Sequence, residues 1–489
     1  MRKILTLLAA SIASGVYAQN MQLTVDQIMK DPKWMGSSPA NPVWTYNSKT
    51  VLFGWNPEGK SADSIYKFDL NGKEPVKGNY QDAQLTNAIS NGNFNSRNTQ
   101  IVYTYRNDLY LLDLKSNKTT RITKTEEAES NPGFFLNNEW IVFTRNQNLF
   151  GWSIATGIMQ QLTNFARGAE APAAAAFARG RGAGPVPTAA PLRSEGNVQD
   201  KFLQDQSLKT SDILRERKRK SEERDAFLKS VRERDTLKII NVGDRAVQSM
   251  QINPTGRFVS YRLYTAPTNV KNGIVPSYVT ESGYTTDINN RSKVGAPVGK
   301  YDFYLYDKIR DTVMLISLDS IPGSLDQPEY MKDYPNKNQQ RRAVRNLVIG
   351  GLSWNDAGTI AIVDITATDH KDRWIMQLDP LKGSLSLVDR QHDSAWIAGP
   401  GINSFVGGWI DANTYWFQSE ATGYSHLYSY NVQGQAKKQL TSGNYEVQRS
   451  QLSQNKKFFY YIANEDHPGK QNWYRMKVDG SGKEKITSM

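Results

Sequence analysis

Cysteine is absent from all 489 residues. That excludes disulfide staples, thiolate nucleophiles and cysteine-ligated zinc. Histidine is scarce: only His370, His392, His426 and His467 occur. No two have the close spacing of a helical zinc motif, so no metal site is expected. A nucleophile elbow of the form G-x-S-x-G is also missing. The nearest strings, Gly151-Trp-Ser153 and Gly423-Tyr-Ser425, lack the closing glycine and sit in strand-like sequence. No strand–helix alternation builds a hydrolase sheet. No glycine-rich loop cradles a phosphate; Gly350-Gly351 and Gly407-Gly408 precede strands and read as turns between strands. Read alone, the residues supply no catalytic group and call for no cofactor.

Charge excludes little. Lys and Arg number 60 against 48 Asp and Glu, a net charge of +12. The excess is spread along the chain. The basic run at 215–220 contains Glu216 and is followed by Glu222, Glu223 and Glu233. A solvated helix is the better account of it than a nucleic-acid surface.

Residues 1–18 read as a secretory signal. Arg2 and Lys3 precede a short, mostly apolar run, and Val16-Tyr-Ala18 gives a small-x-small cleavage pattern before Gln19. The run is too short for a lasting membrane span. A periplasmic or secreted protein is expected.

What the chain has in quantity is aromatic residues, 11% of the total with 24 Tyr and 11 Trp. They favour pleated sheet. A hairpin pattern recurs, with a strand, a polar turn and a strand ending in Leu or Ile and then Thr or Ser. It runs from Leu109 to Thr123, Leu149 to Thr163, Phe303 to Ser317, Leu427 to Thr441 and Trp473 to Thr487. First and last residues are 14 apart in all five. Looser copies begin at Ile65 and Ile375. Before each lies a second hairpin signal, such as Trp354-Asn-Asp-Ala-Gly-Thr-Ile360 or Trp409-Ile-Asp-Ala-Asn-Thr-Tyr415. Two hairpins make a four-stranded unit. Uninterrupted units start 40 to 52 residues apart (65, 109, 149; 375, 427, 473). That is the period of a β-propeller blade. The expected fold is all-β: a propeller of seven blades, or eight if 236–303 or the N-terminal segment hides another. A β-solenoid is the competing architecture, with repeats that are usually shorter.

The expected organisation is a signal at 1–18, blades one to three at 19–164, an insertion at 165–235, and the remaining blades at 236–489. Within the insertion, 170–192 is dominated by Ala, Gly and Pro and reads as disordered linker. Residues 212–235 read as an exposed, charged helix. A second insertion, 318–345, reads as a loop on one rim.

Three strings carry a family resemblance: Asp393-Ser-Ala-Trp396-Ile, Phe417-Gln-Ser-Glu420-Ala-Thr-Gly-Tyr424-Ser-His-Leu-Tyr428, and Leu440-Thr-Ser-Gly-Asn-Tyr445-Glu-Val447. With the tail from Tyr461 to Trp473, they resemble the late propeller blades of the prolyl oligopeptidase family, closest to its dipeptidyl peptidase IV-like branch. The resemblance implies a propeller that gates and binds peptide substrate for a serine α/β-hydrolase. That domain is expected to begin near residue 489, and so to be supplied elsewhere or lost. Trp396 and Tyr424 are the candidates to line the propeller opening and contact substrate; the competing account packs both between blades. Glu420 is the candidate to hold a cationic group; the competing account makes it a turn residue. His426 is assigned to blade packing. Two family features are missing: a matching pair of glutamates in the corresponding blade (Glu126-Glu127 lies in an inter-strand loop of an earlier one), and an arginine shortly after Trp396, where Ala398-Gly-Pro-Gly401 stands. Self-association is left open. The alternative function is a stand-alone cell-envelope propeller that binds a protein or glycan.

Overall fold

A computed structural model describes residues 24–30, 36–167, 198–210, 212–231, 237–293, 295–326, 333, 345–402 and 405–488. The expected signal and the 170–192 linker lie outside the described residues. Seven four-stranded antiparallel sheets account for most of the strand residues. They are the blades of the propeller. They fall into two compact units, residues 1–132 and 133–489.

The first unit holds two blades. Blade one is Ala40–Trp44, Thr50–Trp55, Ser64–Asp69 and Val76–Lys77; blade two is Asn93–Phe94, Gln100–Tyr105, Asp108–Asp113 and Lys118–Arg121. Between them runs helix α1, Tyr80–Asn91, which the strand-and-turn pattern does not announce. Its start is fixed by a capping box in which the Asn79 side chain and Asp82 satisfy each other's backbone N–H. It packs Leu85, Ala88 and Ile89 against Ile101, Tyr103 and Leu112 of blade two.

The second unit holds five blades. Blade three is Ser130–Phe135, whose first residues close the first unit, with Trp140–Arg145, Asn148–Ser153 and Met159–Gln161. Blade four is Ala246–Ile252, Phe258–Thr265, Lys300–Asp307 and Thr312–Leu315. Blade five is Leu347–Trp354, Ala361–Ala367, Asp372–Asp379 and Ser384–His392. Blade six is Gly407–Trp409, Thr414–Ser419, His426–Asn431 and Ala436–Gln439. Blade seven is Val447–Leu452, Phe458–His467, Lys470–Lys477 and Glu484–Lys485.

Among the described residues the count is seven. The stretch that left room for an eighth supplies strands of blade four and a two-stranded hairpin, Asn272–Ser277 with Thr286–Ser292, inserted between its second and third strands. The first insertion leaves and re-enters through a short parallel pair, Asn164–Ala166 beside Ile239–Asn241. It carries two helices, α2 (Val198–Thr210) and α3 (Asp212–Val231). Only α3 was legible as a charged helix. Its Arg219 pairs with Glu216 at 3.0 Å and Glu223 at 2.8 Å, the spacing at which helical neighbours meet.

The core lies between neighbouring blades. Phe258, Phe303 and Leu305 of blade four pack on Ile349, Val363, Trp374 and Met376 of blade five. Trp416 and Leu427 of blade six pack on Val447, Phe459 and Tyr461 of blade seven. Each fully buried large side chain contributes about 1.5–3 kcal/mol, which no blade gains without its neighbour.

The two glycine pairs are not turns. Gly350 and Gly351 lie inside Leu347–Trp354 at a bulge. A Cβ on Gly350 would sit 1.8 Å from the Phe405 ring, so close packing, not turn geometry, requires the glycine. Gly407 and Gly408 form the inner strand of blade six.

In four of the five copies the 14-residue spacing has a chemical cause. The terminal threonine hydroxyl accepts from the backbone N–H that opens the third strand: Thr123 from Leu109, Thr163 from Leu149, Thr441 from Leu427 and Thr487 from Trp473, all at 2.9 Å. Its own proton goes to a neighbouring acceptor. In blades three and seven this is the Oδ1 of Asn148 (3.1 Å) and Asn472 (3.2 Å), the residue just before that N–H. In blade six the same position is His426. It is wholly buried, with Nδ1 3.1 Å from Thr441 Oγ1 and Nε2 3.0 Å from the Gly443 carbonyl. A carbonyl only accepts, so Nε2 carries the proton and Nδ1 accepts.

Burial pushes the His426 imidazole below its ordinary value. The folded protein thus keeps this ring neutral where the unfolded chain protonates it, near pH 6.5. The stability it contributes is complete above that pH and declines as pH falls through it. His426→Asn should retain the latch and flatten this part of the pH profile. His426→Ala should cost about 1–3 kcal/mol. Urea titrations between pH 5 and 8 check both; equal losses in the two variants would refute the latch.

Candidate functional site

In each blade of the second unit the first and third strands start, and the second and fourth end, at one rim. In blades five and six this rim carries Arg345, Asp372, His392, Trp396, Glu420, Tyr424 and His426, all of them next to these strand ends.

Trp396 sits on the connection from blade five to blade six. The backbone around it is pinned. Asp393 Oδ1 accepts from Ala395 N (2.6 Å) and Trp396 N (3.2 Å), and Ile397 N donates to the His370 carbonyl at 2.7 Å. Lys371 Nζ holds the Ser394 carbonyl at 2.5 Å. The indole itself is 71% exposed. Packing between blades is ruled out for this side chain, and a rigidly mounted aromatic face is presented to solvent. Tyr424, at the end of the turn before His426–Asn431, is half-buried.

Glu420 is half-buried and faces the same connection. Its backbone N–H donates to Gln391 Oε1 at 3.2 Å. Its carboxylate lies against Gly399, where a Cβ would be 1.6 Å from Oε1, and it accepts the Gly399 backbone N–H. Only glycine permits that approach. Burial raises the Glu420 carboxyl above its usual range, and the neighbouring carboxylates Glu446 and Asp393 raise it further. The three carboxylates therefore come from three separate connections, spread from position 393 to 446. Glu446 is itself fixed: its Oε2 accepts from Ser425 N at 2.6 Å, and its own N–H donates to Asn464 Oδ1 at 2.7 Å.

Beneath the rim lies a buried polar layer that the sequence did not reveal. Gln418 is fully buried and reaches Val447 O (2.8 Å), Ser425 Oγ (3.1 Å) and Pro400 O (3.3 Å) through Nε2. Ser425 Oγ donates to Pro400 O at 2.7 Å. The 399–401 turn is thus tied to blades six and seven. Arg373, 1% exposed, donates to Asp364 from Nε at 3.0 Å and to the Gln418 carbonyl from Nη1 at 2.7 Å. Asp372 collects Arg345, Arg390 and the Nδ1 of His392, the last two at 2.9 Å. Among the described residues no group of His, Cys, Asp or Glu is arranged to hold a metal. Among them, too, no helix is long and apolar enough to cross a membrane.

An exposed indole and partly buried carboxylates on one rim suit a cationic or amine-bearing ligand better than an anion. Ser425 donates to a carbonyl and His426 is closed by Thr441 and Gly443, so these two neighbours do not form a serine–base pair.

Residues 325–489 match the family model for the dipeptidyl peptidase IV (DPP IV) N-terminal region. That stretch holds blades five to seven and the rim residues just described. No curated protein matches the chain. Among solved structures, the chain is similar to Porphyromonas gingivalis dipeptidyl peptidase 4 (TM-score 0.49, 13% identity, covering 95% of this chain and 55% of that one). It is also similar to a Bacteroides ovatus protein assigned as a dipeptidyl aminopeptidase IV (TM-score 0.46, 9% identity, covering 92% and 53%). The chain spans about half the length of these proteins.

Proposed function

We propose that this chain is the non-catalytic propeller portion of an exported, DPP IV-like serine peptidase. In this reading it gates access and binds peptide for an α/β-hydrolase domain supplied in addition to it. The observation that carries the proposal is the family match over 325–489, which coincides with the rim bearing Trp396, Glu420 and Tyr424. Trp396 stacks on the peptide, Glu420 draws its cationic end, and Tyr424 flanks both. The rim faces the hydrolase, and the periplasm or the medium is the place of action.

The pure chain should neither turn over proline-containing peptide nitroanilides nor react with a serine-directed fluorophosphonate. Trp396→Ala should weaken peptide capture by about tenfold with an unchanged melting temperature, because the indole is solvent-facing. Fluorophosphonate-sensitive turnover by the chain alone, or wild-type capture by the variant, would overturn the proposal. Adjacent coding sequence for an α/β-hydrolase with G-x-S-x-G would support it.

A second reading, a stand-alone envelope propeller that captures a protein or glycan, is favoured by one observation. The hairpin inserted in blade four exposes Ile274, Val275, Tyr278, Val279, Tyr284 and Ile288, an apolar display typical of interaction surfaces.

A further inference from the structure

A cavity of about 470 Å³ opens on the same rim between blades four and five. It falls within the range of small-molecule sites and is larger than one amino acid needs. The start of Lys300–Asp307, the residues leaving Thr312–Leu315, and the start of Leu347–Trp354 enclose it. Phe303, Leu315, Ile316, Leu318 and Leu347 make an apolar wall.

Its charged lining is unevenly satisfied. Asp302 is paired with Arg245 at 3.1 Å. Arg345 spends its terminal nitrogens on Asp369 and Asp372, but its Nε–H is buried without an acceptor. Lys300 and Asp319 have no ion pair among the described residues. Among the described residues the cavity therefore offers one free cation, one free carboxylate and a hydrocarbon wall.

We infer that this cavity binds a short zwitterionic peptide with apolar side chains. The peptide carboxylate meets Lys300, its ammonium meets Asp319, and its side chains lie on Phe303, Leu315 and Leu347. The site does not depend on a hydrolase partner and is separate from Trp396. It recognises both ends of a small free peptide, whereas the Trp396 surface is proposed to hold a substrate.

The test is calorimetric titration of the full chain with Leu-Leu, N-acetyl-Leu-Leu and Leu-Leu amide. Leu-Leu should bind with a Kd near or below about 1 mM, and each blocked derivative more weakly. Lys300→Met should weaken Leu-Leu by about three- to tenfold and leave the amide unchanged. Asp319→Asn should weaken Leu-Leu similarly and leave the N-acetyl derivative unchanged. Leu315→Trp, at a position 58% exposed, should fill the wall and abolish binding without lowering the melting temperature. Absence of saturable Leu-Leu binding at about 10 mM, or affinities that ignore all three substitutions, would overturn the inference. Either result leaves the Trp396→Ala experiment, and with it the peptidase reading, to stand or fall separately.

Discussion

Replacing Arg373 with methionine is expected to remove about 3–5 kcal/mol of folding stability. Arg373 and Asp364 are both buried, at 1% and 8% exposure. The guanidinium contacts Asp364 through Nε and Nη2 and the Gln418 carbonyl of the next blade through Nη1. Without it, a carboxylate and a carbonyl are left in a dry interface. Burial already pushes the Asp364 carboxyl up, against the pull of Arg373. In the variant only burial remains, so the folded state holds that proton more tightly than the unfolded chain, whose aspartates titrate near 3.9. The variant should therefore recover stability as pH falls toward that value. Arg373→Met combined with Asp364→Leu should regain most of the loss, because two apolar groups need no partner. Urea unfolding at pH 7 and pH 5 measures all of this. A single-variant loss under about 1 kcal/mol, or a double variant no better than the single, would show that the pair does not hold blades five and six together.

Trp374→Ala should cost about 3–5 kcal/mol. Trp374 is fully buried in the core between blades four and five. Its Nε1–H donates to the Pro322 carbonyl at 2.8 Å. The guanidinium groups of Arg345 and Arg390 each lie 5.8 Å from its ring, and both also hold Asp372. Truncation leaves a cavity, an unpaired carbonyl and two cations without their aromatic face. Trp374→Phe keeps the face and loses the donor, so it should cost only about 1–2 kcal/mol. Denaturant midpoints order the three proteins; an alanine variant no worse than the phenylalanine one would refute this account.

The blades were legible because their signals are local. Strand alternation and turn residues lie within a few positions of one another, and the 14-residue interval records a hydroxyl that closes its own hairpin. The charged α3 was legible for the same reason. What escaped was non-local or ambiguous. Arg373 reads as one more charge in a strand until its partners appear, one nine residues earlier and one 45 residues later. Gly350 and Gly351 were mistaken for a turn because close packing and turn geometry select the same residue. Helix α1 carries polar residues at most positions and shows only a weak apolar stripe. At the candidate site, the exposure of Trp396 could not be told from a buried aromatic by its sequence, and the carboxylates around Glu420 converge from loops on either side of blade six.

The parallel pair at Asn164–Ala166 and Ile239–Asn241 has a consequence for how this chain could change over time. The excursion departs and returns within the length of a three-residue strand, about 10 Å, and lengthening a loop so anchored adds little closure entropy. Helices, low-complexity tracts or whole foreign modules could be hung there, or shed, while blades three and four keep their seam. The molecule has in effect a built-in mounting point, where novelty costs the framework almost nothing.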